Sequence, residues 1–274
     1  MIRLTAVYVL VFLFASLSPT TATMPPSFAT AWVVVEPEPE PVRTVDSAPD
    51  FRTYVAGPAR KAEFLDYLKP LIAAENRRVL SQRRRLQYIA TQAELTDVDA
   101  AWLARIAADY KVQHKEASKP VLIGSLLQRV DIVPVSLALA QAAKESAWGT
   151  SRFAVEANNF FGEWCFRPGC GLVPLARATD GKHEVEAFSS ASASVGSYLR
   201  NLNTHGNYRS FRMAREALRE AGDALSGLML ADELVGYSER REDYVEEVKH
   251  LIRVNRLTDV PARPDAQHSV DAGG

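Results

Sequence analysis

The sequence has little cysteine, no excess of either charge and, beyond its N-terminal start, no long apolar run. It has 2 cysteines among 274 residues, and 32 basic residues against 33 acidic ones give a net charge of −1. A chain without a broad basic field is not built to attract nucleic acid, which we do not expect as a partner. Its histidines lack a metal-ligand spacing such as H-x-x-x-H, so neither a metal nor another cofactor is expected. What remains is a globular protein of one or two domains.

The first residues predict export. Met1–Arg3 is a short positive start, residues 4–17 are mostly apolar, and small residues at 20–22 suit a signal peptidase. This order is typical of a secretory signal peptide, which we assign to 1–22. The apolar run is short beside the about 20 residues of a membrane span. We therefore expect a protein of the periplasm or cell envelope without a membrane span after cleavage; an uncleaved signal anchor is the alternative.

The two cysteines are predicted to form a disulfide. Cys165 and Cys170 are separated by a segment that contains the turn dipeptide Pro168-Gly169. In an exported protein such a pair is expected to be oxidised. A metal site would need further ligands nearby, and a redox pair usually has the tighter C-x-x-C spacing.

The remaining pattern is mainly helical. A Pro- and Glu-rich linker over 23–58 leads to an N-terminal helical segment at 59–119, in which the basic run 83–85 is interpreted as a solvated helix face. A second segment at 120–258 precedes a flexible tail at 259–274. Apolar spacing predicts helices over 60–76, 79–90, 97–110, 122–130, 134–148, 194–203, 213–221 and 243–255. Residues 172–188, around Asp180-Gly181, predict a β-hairpin.

The Ala-rich helix before Gly149 carries a candidate acid, Glu145. One face of this helix carries Ala138, Gln141, Ala142 and Glu145. The small alanines on it predict a buried helix. Burial, the negative end of the helix dipole and a nearby Trp148 indole would each raise the pKa of this carboxyl group. A general acid needs such a pKa to hold its proton near neutral pH, whereas an ordinary exposed glutamate does not.

The following loop suits carbohydrate. Asn158-Asn159-Phe160-Phe161-Gly162 combines two amides, which can bind sugar hydroxyl and acetamido groups, with two aromatic rings that can stack on pyranose rings. Core phenylalanines after an asparagine turn are the alternative.

These segments together resemble a known family. Residues 141–152 and 158–162, then 164–174, 183–185 and 198–208, are similar to the β-N-acetylglucosaminidase domain of glycoside hydrolase family seventy-three, in particular its bacterial Bax-type subgroup. The likeness covers about residues 120 to 255. It implies a lysozyme-like α+β fold, mainly helical with a small β-hairpin. It also implies cleavage of β-1,4 bonds at N-acetylglucosamine in peptidoglycan strands; protein partners are not predicted.

The resemblance also implies site residues. Glu145 matches the catalytic acid and Tyr208 a tyrosine near the cleft. The second acidic group lies on the hairpin, where Glu184 is preferred over Glu186 and Asp180; retaining, inverting and substrate-assisted mechanisms all stay open. Predicted substrate contacts are Gln141, Trp148, Asn158, Asn159, Phe161 and His205. A lytic transglycosylase and a non-catalytic wall-binding or scaffold protein are the alternative functions.

Overall fold

A computed structural model describes residues 48–113, 117–175, 181 and 183–257. The predicted signal peptide, the linker as far as residue 47, Asp180 and the tail from 259 lie outside the described residues. Within them, no helix combines the length and apolar character that a membrane span requires.

Helices dominate the described chain, and one small antiparallel sheet accompanies them, which confirms the predicted mainly helical α+β class. Short 3-10 helices cover Phe51–Thr53, Gly206–Tyr208 and Ala231–Tyr237. The α-helices are α1 (Pro58–Thr91), α2 (Asp97–Asp109), α3 (Lys119–Arg129), α4 (Val135–Glu145), α5 (Arg152–Ala157), α6 (Ala191–Thr204), α7 (Arg209–Glu220), α8 (Gly227–Leu230) and α9 (Arg241–Val254). The strands are β1 (Trp164–Cys165), β2 (Gly171–Leu172) and β3 (Glu184–Glu186).

Local chemistry sets the start of α2 where the sequence predicts it. The Thr96 side chain accepts a hydrogen bond from the backbone N–H of Asp99 at 3.1 Å, the usual role of an N-cap residue. The apolar stripe of Trp102, Leu103 and Ile106 is buried. By contrast, the two helices predicted over 60–76 and 79–90 form a single helix, α1.

Helix α4 is the centre of the larger core. All residues from Val135 to Ala143 are buried, as the run of small side chains predicts. Neighbouring backbones approach closely, since a Cβ placed on Gly227 of α8 would lie 2.1 Å from Ser136 Oγ. Helices α1, α8 and α9 pack around α4 and so fix the end of the helix that carries Glu145.

A second, smaller core is formed by the last turns of α1 with α2 and α3. Phe64 and Leu68, early in α1, belong to the core around α4, whereas Leu86 and Ile89 belong to the smaller one. Helix α1, which lies in the predicted N-terminal helical segment, therefore contributes side chains to both cores. Phe51, within the predicted linker, is also buried in the larger core.

A buried ion cluster joins these parts. Asp131, between α3 and α4, is 2% exposed and lies 2.9 Å from Arg219, 3.5 Å from Arg83 and 4.0 Å from Arg215. Burial alone would raise the pKa of Asp131, but the three arginines together lower it. The cluster ties α1 and α7 to the segment that leads into α4.

The interpretation of 83–85 as one solvated helix face is wrong for Arg83 and Arg85, whereas Arg84 is exposed. Arg83 donates to the carbonyls of Leu127 and Val130, and Arg85 pairs with Asp99 at 3.0 Å. Both guanidinium groups tie α1 to the small core. Three consecutive helical residues cannot share one face, because each step turns the helix by about 100°.

The sheet has β3 in its centre, in the order β1-β3-β2. Gly171 pairs with Glu186, and Trp164 pairs with Val185, both antiparallel. A Cβ on Gly171 would lie 1.9 Å from the Val185 carbonyl oxygen, so the pairing of β2 with β3 requires glycine there. The predicted hairpin is confirmed as the β2–β3 pair, and β1 adds a third strand on the far side of β3.

Candidate active site

Glu145 is the last residue of α4, and local chemistry ends the helix there. Ala147, Trp148 and Gly149 have positive φ angles of 48°, 59° and 77°, which a right-handed helix cannot accommodate. The Ser146 hydroxyl accepts from the Gly149 N–H at 2.8 Å and donates to the Ala142 carbonyl at 2.6 Å. A Cβ on Gly149 would strike the Phe51 ring at 2.2 Å. The turn that presents Glu145 is therefore closely packed.

Burial raises the pKa of Glu145, as the sequence predicts. A hydrogen bond with the Tyr244 hydroxyl and the charge of Lys144 oppose this rise, and Glu247 adds to it. The net direction favours a carboxyl group that keeps its proton longer than an exposed glutamate. Lys144 itself is paired with Glu247, which reduces its influence on Glu145.

A buried hydrogen-bond chain stands behind Glu145. The Tyr198 hydroxyl donates to Gln141 Oε1 at 2.6 Å, and Gln141 Nε2 donates to the Tyr244 hydroxyl at 2.8 Å. Because that hydroxyl accepts from Gln141, its own proton is free to point toward Glu145. Gln141 is 0% exposed and both ends of its amide bond to tyrosines, so its position does not fit the predicted substrate contact.

Stacked aromatic rings surround this chain. Phe161 is 2% exposed and stacks on Tyr198 with ring centroids 3.9 Å apart, so its faces are occupied by protein. Tyr237 stacks on Tyr244 at 5.3 Å and donates its hydroxyl proton to the Phe161 carbonyl at 3.1 Å. Phe161 thus packs against Tyr198 and accepts from Tyr237, which does not fit the predicted sugar contact.

Tyr208 lies at the edge of the same cluster. Its ring is 6.0 Å from that of Tyr237, and His205 is exposed with its ring 5.9 Å from Tyr208. Burial, with the nearby charges of Glu163 and Glu145, raises the pKa of Tyr208 to about 12. Tyr208 is therefore a protonated phenol at neutral pH, which can donate a hydrogen bond beside the acid.

The two asparagines organise the loop after α5. Asn158 has a left-handed backbone at φ 51° and donates to the Phe188 carbonyl. Asn159 donates to the carbonyls of Glu163 and Glu186, and its Oδ1 accepts from the N–H groups of Phe161 and Glu163. All the hydrogen-bonding positions of the Asn159 amide are thus taken within the protein. The loop brings Gly162 next to the acid, since a Cβ there would lie 3.8 Å from Glu145 Oε2.

Trp148 packs on α1. Its ring meets Phe64 edge-on at 5.6 Å, and the Lys61 ammonium group lies 4.8 Å from its centre. Trp148 stays partly exposed, so sugar binding by its free edge stays a prediction. Its described contacts fasten the turn after Glu145 to α1.

Sequence reasoning overlooked Glu163, a second buried carboxyl group. Burial raises its pKa to about 8; a hydrogen bond from Ser197 lowers it and Glu186 raises it. Ser197 Oγ lies 3.3 Å from Glu163 Oε1, while Oε2 is buried without a hydrogen-bond partner among the described residues. Its position directly after the Asn-Asn-Phe-Phe-Gly motif is a signal in the sequence. Its hydrogen-bond partner Ser197 lies 34 residues farther along, so the local pattern does not show their contact.

The predicted disulfide is confirmed, and Glu184 lies beside it. Cys165 and Cys170 are bonded, with their Cα atoms 6.3 Å apart. The Glu184 carboxylate accepts from the N–H of Gly169 at 3.0 Å and of Gly171 at 2.9 Å. Glu184 therefore braces the loop that the disulfide closes. These two sulfurs and the carboxylate lie close together, but sulfurs bonded to each other are not thiolate ligands for a metal.

Glu186, the alternative on the same strand, is partly exposed and contributes to the raised pKa of Glu163. Glu145 and Glu163 thus both lie near enough to Tyr208 for their charges to raise its pKa. Gln141, Asn159 and Phe161 lie beneath these residues, and Glu184 lies on β3 with its carboxylate against the disulfide loop.

Much of the chain matches known proteins. Residues 123–257 match the glucosaminidase family, described as mannosyl-glycoprotein endo-beta-N-acetylglucosaminidase. The chain belongs to this family, and its membership supports a glycosidase that acts on peptidoglycan. It is similar to Protein bax of Escherichia coli (strain K12), with 37% identity over 199 residues, or 72% of this chain and 70% of that protein. No solved structure gave a significant match.

Proposed function

We propose that the protein hydrolyses β-1,4 glycosidic bonds at N-acetylglucosamine in peptidoglycan, with Glu145 as general acid. The observation that carries the proposal is the placement of Glu145 at the end of a buried helix, with a raised pKa and a hydrogen-bond chain behind it. Family membership supplies the substrate class.

In the proposed reaction, protonated Glu145 donates its proton to the leaving glycosidic oxygen as the bond from that oxygen to the anomeric carbon breaks. Water supplies the hydroxyl group to the anomeric carbon, and its remaining proton returns to a carboxylate. The fixed position of Glu145 matters because general acid catalysis requires the proton to lie within hydrogen-bond reach of the leaving oxygen. Tyr208, a neutral phenol beside the acid, is proposed to hydrogen-bond the sugar or the attacking water.

Glu184 remains the proposed second acidic group, with Glu186 and Asp180 as alternatives. Two backbone N–H groups donate to the Glu184 carboxylate, an arrangement that is compatible with a base or with a group that stabilises positive charge. The same contacts suit a purely structural brace. Glu184→Gln separates the roles: loss of activity with unchanged stability supports the catalytic one, whereas loss of stability with residual activity supports the brace.

Both oxygens of the Glu184 carboxylate already accept from backbone N–H groups. This favours one alternative function, a lytic transglycosylase, because such an enzyme needs a single acid and forms an anhydro product without water. Mass spectrometry of digested, purified peptidoglycan distinguishes the two. A reducing N-acetylglucosamine end supports the hydrolase, and an anhydro-muramyl end supports the transglycosylase. Binding without any product supports a wall-binding or scaffold protein.

Glu145→Gln tests the acid directly. The amide keeps the size of the side chain but cannot donate the required proton, so activity on purified peptidoglycan should fall by at least about 10²- to 10⁴-fold. Circular dichroism and thermal unfolding should match the wild type. Glu246→Gln, an exposed change on α9, is the matched control and should stay fully active. A folded Glu145→Gln protein that digests at the wild-type rate would overturn the proposal.

A further inference from the structure

The aromatic rings expected to stack on sugar are largely engaged within the protein. Phe160 is 0% and Phe161 2% exposed, and Trp148 packs on Phe64. Trp164, the first residue of β1, is instead 57% exposed. An exposed indole near a candidate active site has an apolar surface that is available to a ligand.

Trp164 is connected to the neighbourhood of Glu145 by a short piece of chain. Gly162 is in van der Waals range of Glu145, since its added Cβ would lie 3.8 Å from Oε2, and Trp164 follows two residues later. Two extended residues span at most about 7 Å, a distance comparable to one sugar unit. A glycan strand with one bond at Glu145 would therefore carry a neighbouring ring within reach of Trp164.

The indole is also held in place before any ligand binds. The His183 ring lies parallel to it, with ring centroids 4.0 Å apart and planes 15° apart. Pairing of Trp164 with Val185 and the disulfide at Cys165 fix the backbone. A side chain that is already ordered loses less conformational entropy on binding. His183 covers part of one face, so the rest of the indole is available to a flat apolar surface.

We propose that Trp164 is a sugar-binding residue that stacks on an N-acetylhexosamine ring of the glycan strand, beside the bond broken at Glu145. The inference rests on the proposed function and deepens it. The C–H face of a pyranose ring is apolar, whereas its hydroxyl groups point outward, which matches an indole set in a polar surface. Proximity to Glu145 favours a glycan over a protein partner.

The test uses the full chain with Glu145→Gln, so that the ligand is not consumed, and soluble oligomers of N-acetylglucosamine as the probe. Calorimetry should show about tenfold weaker binding for Trp164→Leu, which keeps apolar bulk but loses the ring. Trp164→Phe keeps a ring and should stay within about threefold. Tyr88→Leu removes a 60% exposed aromatic ring from α1 and should bind like the parent.

Unchanged affinity in Trp164→Leu would overturn the inference, as would an equal loss in the Leu and Phe variants, because any aromatic ring should restore part of the binding. Kinetics on peptidoglycan keep the two proposals separate. If the chain with Glu145 intact cleaves nothing while binding still depends on Trp164, the proposed hydrolysis fails and sugar stacking stands. If it cleaves normally and Trp164→Leu leaves KM unchanged, sugar stacking fails and the hydrolysis stands.

Discussion

The helix that carries Glu145 and the sheet that carries Trp164 are held in place by different means. Helix α4 is enclosed on all sides by apolar side chains and by the chain of Gln141 with its two tyrosines. The sheet has strands of two or three residues. Only two of the side chains in these strands are buried, those of Glu184 and Val185. It depends instead on a disulfide and on a carboxylate that binds backbone N–H groups.

The difference follows from the number of side chains that each region can bury. Apolar burial contributes about 25 cal/mol per Å², so a helix at the centre of a core gains far more than a three-stranded ribbon at its margin. A small ribbon is not stable alone and needs covalent or polar ties. The comparison predicts that disruption on the helical side costs global stability, whereas disruption on the sheet side acts mainly locally.

The largest effect is expected from Asp131→Asn. The change leaves Arg215, which is 1% exposed, without its buried counter-charge. Loss of one partner from a buried ion pair typically costs about 3–5 kcal/mol. Chemical denaturation should show this loss in the free energy of unfolding. Glu246→Gln, which disrupts an exposed pair, should cost less than about 1 kcal/mol, and equal stability of the two variants would refute the structural role of the cluster.

The next largest effect is expected from replacing both Cys165 and Cys170 with Ser. A loop this short gives about 2 kcal/mol by the loop-entropy relation, at the low end for disulfides. We expect hydrogen exchange to speed up at residues 164–172 and to change little in α4. Equally faster exchange in α4 would show that the two regions are not separable. Thiol titration of denatured, unreduced wild type should find no free thiol.

An effect that depends on pH is expected at the boundary of the two regions from Glu163→Gln. Burial raises the pKa of Glu163 to about 8 in the folded protein, against its ordinary value of 4.5. Between these values the folded state holds a proton that the unfolded state has lost, so the free energy of unfolding falls as pH rises. Glu163→Gln removes this dependence. The free energy of unfolding of the variant should therefore rise relative to that of the wild type from pH 5 to pH 8. Glu156→Gln, an exposed change on α5, should keep the wild-type slope; the same slope in Glu163→Gln would contradict the assignment.

The smallest effect is expected from Tyr244→Phe. The Tyr244 hydroxyl bonds to the Glu145 carboxylate and lowers its pKa, so its loss should raise that pKa further. Glu145 then keeps its proton to a higher pH, and the basic limb of the pH–rate profile should move upward. Tyr237→Phe is the matched control, since that hydroxyl donates to the Phe161 carbonyl. A profile that moves down or stays fixed would exclude the hydrogen-bond chain as a determinant of acidity.

The sequence predicts most of the helices, and the buried helix that ends at Glu145, because those features depend on neighbours along the chain. Thr96 and the stripe after it specify α2, and the small residues before Glu145 specify a buried helix. It predicts the surroundings of the acid less well. Phe161 and Gln141 were expected to meet sugar, but Tyr198 and Tyr244, 37 and 103 residues farther along, cover them. Periodicity shows which side chains are apolar and not which distant element packs over them.

The contact between Gln141 and Tyr244 joins residues 103 positions apart, and Lys61 binds Asn255 over 194 positions. Helix α9 is thus among the last elements to emerge during synthesis, although it holds the acid from behind. Until α9 docks, the Tyr244 hydroxyl that bonds to Glu145 is missing. The growing chain therefore lacks one contact of that carboxyl group. A chain cut before Tyr244 would carry every residue of the acid's own motif and yet lack the support that fixes the carboxyl group. The proposed activity therefore requires the C-terminal helix of the described fold as well as the motif around Glu145.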